Sequence, residues 1–140
     1  MTVPTDFVSQ MHLAVLEESP LWSLTARVVD RLGGGRTIEH GPWSPGECSI
    51  LLLRWFTTGW LELYLPEVPA GWHLRPEEWQ DRAERRGPFI VLTAEDTYQL
   101  LLAPAARWLV DTADGQVCLS RTDSGLGHEA ADWYAAAVSG

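Results

Sequence analysis

Apolar residues run almost unbroken from Cys48 to Pro66, CSILLLRWFTTGWLELYLP, with one polar interruption at Thr57-Thr58-Gly59. The interruption has the composition of a three-residue hairpin loop with Gly59 in the left-handed position. In that reading Phe56 faces Trp60, Arg54 faces Glu62, Leu53 faces Leu63 and Leu51 faces Leu65. One sheet face then carries Leu51, Leu53, Trp55, Leu61, Leu63 and Leu65. The other carries Ile50, Leu52, Phe56, Trp60 and Tyr64, with Arg54 and Glu62 at its centre. A slip of one residue would set Leu53 against Glu62 and spoil both faces, so the pattern selects its own register.

The remaining chain supplies helices and a second hairpin. Thr5 can cap a helix to about Glu18, with Phe7, Val8, Met11, Ala14 and Val15 on one stripe. Ser19-Pro20 reads as a fresh N-cap and first turn, opening a second helix to Leu32 that stops at Gly33. Gly33-Gly34-Gly35 is a joint, Arg36 to His40 a short strand, and Gly41 to Gly46 a loop. After a further loop, PEEWQDRAERR from Pro76 reads as a surface helix closed by Gly87, with acids in its first turn and arginines in its last. Phe89 to Leu92 is a strand, and Thr93 caps a helix ended by Pro104. Arg107 to Asp111 and Val117 to Arg121 pair as a hairpin about Asp114-Gly115, and His128 to Val138 is the last helix. The expected architecture is α+β: a mostly antiparallel sheet built on two hairpins, with helices packed on it. A length of 140 residues makes one domain the simplest organisation.

Charge narrows the partners. The net charge of −9 lacks the basic footprint that nucleic acid or an anionic membrane surface needs, and it suits a basic protein. No signal peptide opens the chain and no apolar run reaches the roughly 18 residues of a membrane span, so a cytoplasmic location is expected. Cys48 and Cys118 both fall inside expected strands and read as free, buried thiols.

Catalytic and metal signatures are sparse. His12, His40, His73 and His128 have no histidine or cysteine neighbour at ligand spacing, and no Cys-x-x-Cys is present. Asp111 to Gly115, DTADG, lacks the alternating oxygens and closing Glu of a calcium loop. The glycine joint at 33–35 has neither the strand before it nor the Lys-Ser/Thr after it of a phosphate loop. Ser44 and Ser124 lie near glycines but outside Gly-x-Ser-x-Gly. No cofactor is expected. Glu62 is the one acid inside a strand pattern. Its structural role is a cross-strand ion pair with Arg54, and its functional role would be a general acid or base in an apolar setting.

The chain is rich in tryptophan, with eight residues. Trp43 and Trp72 sit in proline-glycine loops flanking the apolar stretch, and Trp60 projects beside Glu62 and Tyr64. Trp43, Arg54, Trp60, Glu62, Tyr64 and Trp72 are therefore the candidate binding residues. An open face would make them an aromatic surface for a partner or a flat ligand, and a covered face would make them the second half of the core. In size, charge and rough element order the chain resembles bacterial effector-secretion chaperones and toxin-immunity proteins, a resemblance that carries no residue. The expected function is a non-catalytic protein-binding or regulatory module, as a monomer or a homodimer. The alternative is a small-ligand binder, or an enzyme whose site assembles around Glu62.

Overall fold

A computed structural model describes residues 5–25, 28–40, 43–65, 82–86 and 89–138. In chain order the elements are α1 (Thr5–Leu16), α2 (Leu21–Leu24), β1 (Val28–Leu32), β2 (Arg36–His40), α3 (Pro45–Thr57), β3 (Leu61–Leu65), β4 (Ala83–Arg86), β5 (Phe89–Leu92), α4 (Ala94–Leu102), α5 (Pro104–Arg107), β6 (Cys118–Arg121), α6 (Asp123–Leu126) and α7 (Ala130–Val138). The class is α+β. A four-stranded antiparallel sheet has the order β4-β5-β3-β6, and β1 and β2 form a separate antiparallel pair.

The apolar stretch divides at Gly59. Its first half is not a strand: Pro45 to Thr57 is helical. Cys48, Leu51, Leu52 and Trp55 are buried, spaced i, i+3, i+4, i+7, which is one stripe of a helix. Ser44-Pro45-Gly46-Glu47 also has the form of a helix start: a capping residue, proline at the first turn and an acid three places on. Gly59 does adopt the left-handed conformation, at φ 91°. It closes the helix rather than a hairpin: the amides of Gly59 and Trp60 donate to the carbonyls of Phe56 (3.0 Å) and Trp55 (3.1 Å), a Schellman closure.

The second half is the expected strand. In β3 the buried Leu61, Leu63 and Leu65 alternate with half-buried Glu62 and Tyr64. Its neighbours come from elsewhere in the chain, with Leu63 opposite Leu119 of β6 and Tyr64 opposite Val91 of β5. The expected hairpin at 107–121 is likewise replaced. Trp108 is buried, with its indole N–H on the carbonyl of Leu100 (2.8 Å). The segment then folds into turns stitched by Thr112, and β6 goes to β3.

Among the described residues, the hairpin partners are β1–β2 and β4–β5. Val28 to Leu32 is a strand and not the end of a helix, so the helix opened by Ser19-Pro20 lasts one turn. Gly34 and Gly35, at φ 80° and 77°, make the β1–β2 turn at no steric cost. Ala83 to Arg86, expected as helix, is β4. Its backbone hydrogen bonds go to β5, with Ala83 opposite Leu92 and Arg85 opposite Ile90. The first half of that expected helix lies outside the described residues.

One face of the larger sheet supplies the core. Leu61, Leu63, Leu65, Leu92 and Leu119 cluster with Phe7, Met11 and Val15 of α1, Leu51, Leu52 and Trp55 of α3, Leu100 and Leu101 of α4, and Trp133 of α7. The tryptophans are tied in by polar atoms as well. The Trp55 indole N–H donates to the Trp133 carbonyl (3.0 Å), and the two rings meet edge to face at 5.1 Å.

Candidate functional site

The alternation of β3 sends Glu62 and Tyr64 to the face away from the helices. Register extends that face across the sheet: Glu62 lies opposite Ser120, while Tyr64 lies between Cys118 of β6 and Val91 of β5. Glu18, Gly59, Thr122, Asp123 and Ser124 rise at its rim. Together with Arg121 these residues, Cys118 apart, line an open groove of about 600 Å³. Three carboxylates (Glu18, Glu62 and Asp123) against one guanidinium leave the lining formally negative. Arg121 lies opposite Leu61 in the ladder. Burial first, and the charge of Arg121 after it, lower the pKa of the His12 imidazole.

Each rim residue has a local cause. Glu18 ends α1 in a second Schellman closure, its amide on the carbonyl of Val15 (3.1 Å) and that of Ser19 on Ala14 (2.9 Å). Glu18 holds φ 53° there, the one non-glycine at positive φ among the described residues. Ser120 Oγ donates to Glu18 Oε1 at 3.5 Å. Thr122 caps α6: its hydroxyl accepts from the Gly125 amide (3.0 Å) and donates to the Gly59 carbonyl (2.6 Å), so it is committed to the fold. The outer edge of β6 is also in use. The Leu119 amide donates to the Ser19 carbonyl (3.0 Å), and the Leu21 amide donates to that of Val117 (2.9 Å).

Burial first, and nearby Cys118 and Glu18 after it, push the Tyr64 phenol up to about 12. Burial likewise pushes the Cys118 thiol to about 11 and Cys48 to about 12, so both stay protonated and unreactive at neutral pH. Among the described residues no group of three or more His, Cys, Asp or Glu is placed to hold a metal ion, and no helix is long and apolar enough to cross a membrane.

Of the six candidate residues, the five that are described do not form one surface. Glu62 and Tyr64 do share the groove. Arg54 is helical, so it does not pair across strands with Glu62, and its guanidinium donates to the Ala137 carbonyl near the end of α7. That is a favourable place for a cation. Trp60 stacks on His128 (ring centroids 4.1 Å apart) and tilts against Trp133 (5.5 Å). Trp43 packs on Phe7 at 5.1 Å. Trp72 lies outside the described residues. Glu18, Ser120 and Asp123 were missed. The left-handed Glu18 has no sequence signal, whereas the alternation of Cys118 to Arg121 already marked a strand and only its partner was misassigned.

Comparison with protein-family models, with curated proteins and with solved structures finds no match to this chain.

Proposed function

We propose that the protein is a non-catalytic binding module that holds a partner protein in the groove over β3 and β6. The observation that carries this reading is the groove itself, an open acid- and hydroxyl-lined depression on the sheet face opposite the core. Its lining offers carboxylates, hydroxyls and a phenol, which are groups suited to hydrogen bonding and ion pairing. The Cys118 thiol beside Tyr64 is held protonated. The overall charge of −9 favours approach of a basic partner.

A small ligand in the same groove is the second reading, supported by a volume within the roughly 300–1,000 Å³ common for such sites. Amide mapping by NMR with a set of peptides and fragments of varied charge tests both. Binding is expected to move the amides of Glu62, Tyr64, Ser120 and Asp123, and to be lost when Ser120→Trp fills the groove. Binding that moves only amides elsewhere, or that survives Ser120→Trp unchanged, would remove the groove as the site.

A further inference from the structure

Resting on the groove reading above, we infer that the group recognised there is the cationic side chain of an arginine, presented by a segment of a basic partner protein. The lining is acceptor-rich. Glu18, Glu62 and Asp123 contribute three carboxylates against the one guanidinium of Arg121, which leaves the lining formally negative. A guanidinium carries five N–H donors in a planar fork, so it can satisfy several such acceptors at once, and it stacks on aromatic rings. Tyr64 supplies the ring. Its raised pKa keeps the phenol neutral over the physiological range, so it adds a hydroxyl and a π face without adding charge.

Two features point to a side chain inserted from a protein. The groove opens to solvent, which leaves room for a backbone to stay outside while a side chain reaches in. Strand addition at the adjacent edge is blocked, because Ser19 and Leu21 already occupy the β6 edge from Val117 to Leu119. Recognition therefore falls to side chains. Glu18 fits this role: it stands at a left-handed position where glycine is the ordinary occupant, and it keeps its carboxylate at the groove rim.

The test is an amide-detected NMR titration of the full chain with a blocked Gly-Arg-Gly peptide. The same titration is run with the neutral citrulline analogue, with a Gly-Glu-Gly peptide and with free arginine. The arginine peptide should saturably move the amides of Glu62, Tyr64 and Ser120, and the citrulline analogue should bind about tenfold more weakly, the scale of a charge-assisted hydrogen bond. Glu62→Gln and Glu18→Gly should each weaken the arginine peptide by about fivefold or more while keeping the native amide pattern, and added salt should weaken it further. Equal binding of the citrulline or glutamate peptides would overturn the cationic chemistry while leaving the groove as a site. Free arginine binding as tightly as the peptide would overturn the protein source. A dimer in sedimentation that the arginine peptide dissociates would assign the face to a second copy and overturn the inference. Failure of every probe to move groove amides would sink the inference and the groove reading together.

Discussion

Two helices end in the same motif at the same groove, and they end differently. α3 closes at Gly59 and α1 closes at Glu18, each with a Schellman pair of hydrogen bonds and a left-handed residue. Glycine adopts that conformation freely, whereas a residue with a β-carbon is strained there by about 1–2 kcal/mol. The chain therefore uses the low-strain solution at one end and a strained carboxylate at the other. Both closures make the same pair of backbone hydrogen bonds, and only Glu18 carries a side chain through the left-handed turn. A backbone outlier of that kind is a starting point for testing what the side chain does.

The largest expected effect calibrates the scale. Gly59 delivers the chain into β3, and Leu63 at the centre of that strand is fully buried. Leu63→Ala should cost about 2–5 kcal/mol in equilibrium unfolding. A cost below about 0.5 kcal/mol would mean that β3 contributes little to the core and that neither closure controls anything important.

Gly59→Ala comes next. A β-carbon at Gly59 meets nothing within 4 Å, so crowding contributes nothing and backbone strain is the entire penalty. With about 0.5–1 kcal/mol returned because alanine has less freedom than glycine in the unfolded chain, the expected net loss is about 0.5–1 kcal/mol, measured by denaturant unfolding. A neutral outcome would show that the left-handed position is tolerant here, and the contrast with Glu18 would dissolve.

That contrast also marks how far the sequence could be read. The left-handed glycine after Thr57-Thr58 was legible, but both a hairpin loop and a helix closure use one, so the conformation did not name the element. The deciding signal lay upstream at Ser44-Pro45-Gly46-Glu47, where an acid sits three places after the capping serine. Ser19-Pro20 lacks that acid, and its helix lasts one turn. Leucine and tryptophan at 51, 52 and 55 satisfy either period over so short a span, which is why apolar content alone misassigned the helix. β3 was legible because Leu61 to Leu65 alternates cleanly. Its strand partners were not, since pairing across the chain is decided by packing of Leu63 on Leu119 and not by local pattern. Of the described candidate residues, Glu62 and Tyr64 are the two that line the groove. Trp60, the most suggestive residue, is engaged by His128 and Trp133.

α1 carries a second asymmetry that must be controlled before its closure is tested. His12 is buried against Trp55, Trp133 and Tyr134, and burial, then the charge of Arg121, lowers its pKa. A base whose folded pKa lies below its unfolded value binds more protons when unfolded. Its contribution is complete above the ordinary imidazole value of about 6.5 and is lost as pH falls through the lower folded value. Stability should therefore fall on acidification below about pH 6.5, and His12→Leu should flatten that part of the profile. Identical slopes for the two chains would show that His12 titrates alike folded and unfolded.

At a fixed pH above that range, Glu18→Gly is the most informative change. Removing the side chain relieves the left-handed strain of about 1–2 kcal/mol, and the extra freedom of glycine in the unfolded chain returns about 0.5–1 kcal/mol of it. A net gain of roughly 0.5–1 kcal/mol is expected, opposite in sign to Gly59→Ala. The lost contact with Ser120 at 3.5 Å is long and exposed and takes little away. Unfolding measured beside the arginine-peptide titration then separates the two roles. Greater stability with weaker binding identifies a carboxylate kept for recognition at the expense of the fold. Greater stability with unchanged binding would make Glu18 an incidental strain and would leave Glu62 and Asp123 as the groove's acids. A loss of stability would mean that Glu18 supports the closure through its side chain, and the comparison between the two helix ends would fail.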